Sequence, residues 1–173
     1  MIETMALHIA TGIKRLVPEH PASIAVLKHA LGILINTFMI IGLCIFISKW
    51  IGTIPEMLMI LVAFPGLRMV SGGIHLKSGM KCVLITTAAF VILSLLTFSY
   101  SVVVVLNILN IILVFLFAPS DIEKQSRIKS RHYPKLKLAS TLIVAINLLI
   151  GSPTLAVSFL LQALTLVPWK EVK

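Results

Sequence analysis

Charge is scarce in this chain. Asp, Glu, Lys and Arg make up 12% of its 173 residues, about half the share found in a soluble domain. With 58% hydrophobic residues and a mean hydropathy of +1.07, that shortage excludes disorder, collagen and coiled coil and argues against a water-soluble enzyme. The surplus apolar surface has to face lipid. Cysteine is nearly missing: Cys44 and Cys82 alone cannot build a disulfide framework or a four-cysteine metal site. There is no HExxH or GxSxG motif, which weakens zinc-protease and serine-hydrolase readings. The histidines lie far apart in sequence, so neither a metal site nor a cofactor is expected. Repeats and low-complexity segments are absent, and the length suits one domain spanning 1–173. Acidic residues number six against 15 basic ones, for a net charge of +9. In a soluble protein that balance would suggest nucleic acid. Here it is read first as a topology signal, and no nucleic acid is expected.

A transmembrane helix needs roughly 17–25 mainly apolar residues. Ala30–Ser48, Cys82–Ser99 and Val102–Ala118 meet this with no charge inside them. Leu138–Ile150 and Thr154–Val167 are shorter and flank Gly151-Ser152-Pro153, so they are read as a tight helical hairpin. Ile51–Gly66 is the weakest span, because it holds Pro55, Glu56 and Pro65. The expected fold is all-α, a polytopic integral membrane protein of about six transmembrane helices, with four spans plus two half-inserted segments as the second choice. With the N-terminus inside and six crossings, Lys14, Arg15, Lys28, Arg68, Lys77 and Lys81 face the cytoplasm. So do Lys124, Arg127, Lys129, Arg131, Lys135, Lys137, Lys170 and Lys173. Thus 14 of 15 basic residues lie inside and only Lys49 outside, as the positive-inside rule requires. Both termini are then cytoplasmic.

Residues 1–29 form an expected cytoplasmic leader. Lys14 and Arg15 follow its apolar residues, unlike a cleaved signal peptide. Ile2, Met5, Ile9, Ile13 and Leu16 recur at helical spacing, predicting an amphipathic helix on the inner leaflet. Trp50 and Trp169 fall at predicted interfaces as aromatic anchors.

The segment 67–82 differs from the rest of the chain. From Arg68 to Cys82 it gathers three glycines, a histidine, a cysteine and three basic residues. Gly72-Gly73 and Ser78-Gly79 are breakers, so one continuous helix is improbable. On a straight helix His75 and Cys82 would be ~10 Å apart along the axis, too far for proton transfer. A break at Ser78-Gly79 lets the chain fold back and permits a Cys–His nucleophilic pair. A helix N-terminus and nearby cationic groups such as Lys77 and Lys81 favour thiolate. The plainer readings stand beside this one. Cys82 also fits a small buried hydrophobe, as Cys44 does, and His75 also fits an interfacial histidine bonded to a carbonyl.

Arg68…Ser71-Gly72-Gly73-x-His75…Cys82, placed between two spans, resembles the accessory gene regulator B family. These are membrane-embedded cysteine endopeptidases of Gram-positive bacteria that process the precursor of a cyclic autoinducing peptide in quorum sensing. The resemblance extends to chain length, basic leader, multiple spans and the basic loop near residue 130. It implies Cys82 and His75 as the catalytic pair, with Arg68, Ser71, Gly72 and Gly73 supporting them. It implies a thioester at Cys82 and ring closure to a thiolactone or lactone, with the precursor peptide and the lipid bilayer as partners, in a multi-pass protein of the bacterial cell membrane. Backbone N–H groups near Cys82 and the Arg68 guanidinium are candidate oxyanion donors. A homodimer is a further expected partner for so short a chain, although no strong GxxxG interface marks it. No Asp or Asn in the segment is an obvious orienter for His75. Glu56 is ionisable within a span, but its place near the outer end suits pairing with Lys49 instead.

The residues 119–137 form an expected basic cytoplasmic loop. Ser120-Asp-Ile-Glu123 is a capping box, and Lys124, Arg127, Lys129 and Arg131 follow it. They contact anionic lipid as a topology determinant or dock an acidic precursor tail, with Lys77 and Lys81 as further docking candidates. Asn107, Asn110, Asn147 and Gln162 are read as interhelical hydrogen-bonding residues. A non-catalytic peptide exporter is the competing function, and a structural membrane partner the third. Under the docking reading, changing pairs of the loop's basic residues to Gln slows precursor cleavage while membrane insertion stays intact. Unchanged cleavage with normal insertion leaves only the lipid role.

Overall fold

The computed structural model of the chain describes residues 2–74, 79–120, 122 and 130–168. Its described residues form seven α-helices: α1 (Ile2–Leu16), α2 (Ile24–Ile51), α3 (Ile54–Ser71), α4 (Gly79–Leu95), α5 (Tyr100–Phe117), α6 (Tyr133–Ile150) and α7 (Pro153–Leu164). A short 3-10 turn, Ser130–His132, leads into α6. Among the described residues the one departure from helix and turn is an isolated parallel bridge between Gly72 and Ser120. An all-helical membrane protein is thus what the apolar composition produces. In lipid, a helix meets its own backbone hydrogen-bonding needs.

The chain forms two compact units, Met1–Gly52 with Leu76–Val91, and Thr53–His75 with Ile92–Lys173. In the first, Ser23 caps α2 by accepting the Val26 N–H at 3.3 Å. Gly52, in the left-handed region at φ +78°, ends α2 by donating to the Ser48 carbonyl. Helix α1 packs on α2 through Ile2, Ala6 and Ala10, one residue per turn and all buried. The alanines let the two backbones approach closely. Of the expected apolar stripe of α1, Ile2 is covered and Ile13 half-buried, and the rest is not. Met5, Ile9 and Leu16 stay 49%, 44% and 85% exposed, beside the alanine stripe. The helix therefore has two apolar faces, one taken by α2 and one left for lipid. Lys14 closes the turn between the helices by donating to the carbonyls of Pro18 and His20. Cys44 is fully buried in this unit, which matches its reading as a small hydrophobe. Trp50 is 78% exposed near the end of α2, as an interfacial anchor requires.

In the second unit, α3 runs unbroken through the segment that looked weakest. Pro55 sits in its first turn, where a missing N–H is harmless. Glu56, also in the first turn, favours the positive end of the helix dipole. Pro65 lies inside the helix, where it removes the bond to the Leu61 carbonyl and crowds that carbonyl with its ring, yet α3 continues to Ser71. Helix α6 starts at Tyr133, five residues before the predicted hairpin arm. Pro134 opens the helix, so Lys135 and Lys137 belong to it and not to the loop. Lys137 lies over the Phe115 ring at 5.3 Å. Helix α7 is the most enclosed element. Leu155, Phe159 and Ala163 meet Leu67 of α3, Val114 of α5 and Val144 of α6 in the core.

The helices of this unit run back and forth. Gly72 after α3, Ser120 after α5 and Thr165 after α7 meet at one end, joined by Gly73 N–H to Ser120 O (2.9 Å) and Ile74 N–H to Thr165 O (3.2 Å). At the other end, Tyr100 of α5 packs beside Gly151 of the α6–α7 turn, and Thr53 bonds Ser94 at 3.1 Å. Among the described residues, four helical stretches are long and apolar enough to cross a membrane: α2, α3, α5 and Ser130–Ile150. Helices α4 and α7 are apolar but shorter. At 12 residues, α7 is ~18 Å long, which is less than a ~30 Å hydrocarbon core.

The buried amides tie the antiparallel helices together. Asn147 donates to Asn107 Oδ1 (2.9 Å) and to the Ser152 carbonyl (3.0 Å), and its Oδ1 accepts the Ser152 N–H at 3.1 Å. Asn110 donates to the Ala156 carbonyl at 2.8 Å. Asn147 thus fixes both the α6–α7 turn and the α5 contact. Asn147→Leu is expected to lower stability by about 1–3 kcal/mol in detergent unfolding. Adding Asn107→Leu to that variant should have little further effect, because the two share a bond. Fully additive losses would show that they do not act as a pair.

Candidate active site

The motif segment begins where α3 stops. Gly72 (φ +76°) and Gly73 (φ +115°) both adopt positive φ, and neither has room for a side chain. A Cβ on Gly72 would lie 2.0 Å from the Ser120 carbonyl oxygen, and one on Gly73 would lie 2.6 Å from Thr165 Oγ1. Irregular backbone at a helix end needs replacement partners, and these come from distant helices. The Gln162 side chain, fully buried on α7, donates through Nε2 to the Gly72 carbonyl (2.7 Å) and to Ser71 Oγ (3.1 Å). Its Oε1 accepts from Arg68 Nη1 at 3.1 Å. The second guanidinium nitrogen of Arg68 donates to the Ile74 carbonyl. Ser71 also accepts the Ser120 N–H on its carbonyl at 2.9 Å.

The structure therefore brings Arg68, Ser71, Gly72 and Gly73 into one cluster, and it adds Gln162, Thr165 and Ser120. Two donors of Arg68 serve this turn. The guanidinium holds the backbone of the residue just before His75. Glu56 and Arg68 sit twelve residues apart on α3, ~18 Å along its axis, so Glu56 belongs to the opposite end of the helix from the glycine turn.

The thiol lies in the other unit. Helix α4 begins at Gly79, so Cys82 is in its first turn and half-buried, next to exposed Lys81. Asn36 of α2 donates through Nδ2 to Cys82 Sγ at 3.6 Å. Thr86, one turn further along α4, is 3.8 Å from the same sulfur. The other atom of that amide, Asn36 Oδ1, is buried without a hydrogen-bond partner among the described residues. Against Gly79 there is ordinary space, with Ile2 Cδ1 3.6 Å and Asn36 Oδ1 3.7 Å from an added Cβ.

His75 and Lys77 lie outside the described residues, as do Lys124, Arg127, Lys129, Lys170, Trp169 and the Asp121 and Glu123 positions of the capping box. Arg131 is exposed in the 3-10 turn, where its Nε donates to His132 Nε2 at 3.1 Å. No metal-binding group of His, Cys, Asp or Glu occurs among the described residues. Sequence reasoning missed two residues. Gln162 was placed among the interhelical amides without a link to the motif, and only the fold reveals that link. Asn36 is an amide inside the charge-free stretch Ala30–Ser48. An intramembrane polar residue is itself a functional flag, and that signal was there to find.

The two kinds of glycine give a contrast to test. Gly72→Ala and Gly73→Ala force a side chain into positive φ and into contact, and strain alone costs about 1–3 kcal/mol. Both are expected to lower the melting temperature in detergent, whereas Gly79→Ala leaves it near wild type. A Gly72→Ala protein as stable as Gly79→Ala would show that the turn is not held as described.

A protein described as AgrB-like, from Halalkalibacterium halodurans, is 25% identical over 174 aligned positions, covering 97% of this chain and 88% of the relative. No solved structure matches the chain. The family model for accessory gene regulator B matches residues 6–166, a stretch that takes in all seven helices at least in part and the whole of Arg68 to Cys82. By that match, the chain belongs to the accessory gene regulator B family.

Proposed function

We propose that this protein is a membrane-embedded cysteine endopeptidase that trims the C-terminal tail of a quorum-sensing precursor peptide and leaves the remainder poised to cyclise. The observation that carries the reading is where the helices break. Helix α3 ends at Ser71 and α4 begins at Gly79, so the motif is held by a clamped turn on one side and opens a helix with its cysteine on the other.

In this reading Cys82 thiolate adds to a peptide carbonyl near the precursor's C-terminal end, with His75 as base. The C–N bond breaks, the tail departs as an amine carrying a proton from His75, and a thioester remains on Cys82. A cysteine or serine inside the precursor then attacks that thioester and closes a thiolactone or lactone ring still joined to its leader. Exchanging one thioester for another is nearly balanced in energy, so the site's main demand is to keep water out, which a membrane-edge location favours. Arg68, Ser71, Gly72 and Gly73 support the segment that leads to His75. Lys77, Lys81, Lys124, Arg127, Lys129 and Arg131 are the cations available to an acidic tail.

Six crossings with both termini in the cytoplasm complete the proposal. The end of the second unit that carries Gly72, Ser120 and Thr165 also carries Arg68, Arg131, Lys135 and Lys137, and the opposite end carries no basic residue between Ile92 and Ser101 or between Leu148 and Thr154. Such an asymmetry favours the first end as the inner one. Helix α7, short and enclosed, crosses within the shelter of α3, α5 and α6. The motif would then face the side on which a newly made precursor arrives.

Cys82→Ala is expected to abolish precursor cleavage, and Cys44→Ala to preserve it. A thioester-linked precursor should be trapped on Cys82 when ring closure is blocked by removing the precursor's internal nucleophile. Continued cleavage by Cys82→Ala ends the peptidase reading and leaves the exporter, which needs no thiol.

A further inference from the structure

We infer that Asn36 is a catalytic residue of the thiol site, and that its side-chain amide is the donor which stabilises the oxyanion formed when Cys82 attacks. The inference rests on the cysteine-endopeptidase reading and assigns that chemistry a residue outside the motif.

Three observations carry it. The amide touches the reacting atom itself, with Nδ2 3.6 Å from Cys82 Sγ. It comes from the middle of α2, where Asn36 is half-buried among neighbours that are mostly exposed or half-buried, Cys44 and Ser48 being the buried residues of that helix. Its Oδ1 is nevertheless shut away from solvent and has no partner among the described residues. Asn107, Asn147 and Gln162 have both polar atoms hydrogen-bonded. Asn110 shares the unpartnered Oδ1 but gives its amide to the Ala156 backbone carbonyl at 2.8 Å, whereas the Asn36 amide is given to the thiol.

The geometry suits the step. A carbonyl carbon ready for attack stands ~3–3.5 Å from the sulfur, and its oxygen is ~1.2 Å further on. That oxygen falls within reach of an amide already in contact with the sulfur. The NH2 group has two hydrogens, so one can face the sulfur and the other the oxygen. As the sulfur pair forms the S–C bond, the carbonyl π pair moves to oxygen, and Asn36 donates a hydrogen bond to it without losing a proton. Collapse re-forms the C=O bond and expels the leaving group. The open Oδ1 acceptor is suited to an N–H of the bound peptide backbone. Arg68, whose guanidinium serves the glycine turn, is then not needed for the oxyanion.

The test compares two reactions of the same thiol in the full-length protein in lipid nanodiscs, on a Cys44→Ala background. Acylation of Cys82 by p-nitrophenyl acetate passes through an oxyanion, and alkylation by iodoacetamide does not. Both are followed at Cys82 by mass spectrometry. Asn36→Leu, and separately Asn36→Ala, are expected to slow acylation about 100-fold while alkylation stays within roughly threefold. Parallel loss of both reactions would show that Asn36 merely places the thiol, and unchanged acylation would show that it does nothing there. Either result overturns the inference. The peptidase reading stands or falls separately, on whether Cys82→Ala still cleaves precursor.

Discussion

A backbone that leaves the helix inside or beside a membrane has no water to complete its hydrogen bonds, and each unmet group is costly there. The turn at Gly72-Gly73 meets this demand by borrowing. The Gln162 carboxamide takes in the Gly72 carbonyl, the Ser71 hydroxyl and the Arg68 guanidinium at once, while Ser120 and Thr165 receive the next two N–H groups. Three helix ends are thereby drawn to one place. The core of Leu67, Val114, Val144 and Phe159 fills the space that this convergence leaves. Remove the amide, and Gly72 and Arg68 lose their shared partner.

The same demand explains why the polar residues of the second unit are so evenly distributed. Asn147 and Asn107 secure the end opposite the glycine turn, and Gln162 secures the near end. Asn110 adds a bond from α5 to the Ala156 carbonyl of α7, and the buried Ser140 and Ser158 lie among the apolar side chains, which in lipid supply packing but little net attraction.

Much of this was legible in the residues. The helical breaks at Gly72-Gly73 and Ser78-Gly79 were visible because glycine and serine interrupt an apolar run, and the helices end and begin there. The weak second span held together with Pro55 in its first turn, where proline is tolerated, and with Pro65 inside it. Pro134 falls in the first turn of α6, where proline starts a helix, so α6 absorbed two lysines of the expected basic loop. The stripe on α1 was only half right, since periodicity gives the apolar face and not which part of it a neighbouring helix will take. Ala6 and Ala10 carry that contact, and alanine gives a weak hydrophobic signal. What no single sequence could supply was the pairing of residues far apart along the chain. Gln162 and Asn36 each look like an isolated amide until α7 and α2 bring them to the motif.

The span of chain that separates the clamp from what it clamps has a consequence for biosynthesis. Ser71 and Gln162 are 91 residues apart, and α3 leaves the ribosome long before α7. At 5–20 residues per second the interval is roughly 5–18 seconds. Throughout it the glycine turn exists without its principal partner. Short as it is, α7 is poorly suited to insert alone. The turn is thus set last, after every other helix is in place, and a partly made chain in the membrane lacks the support that its motif requires.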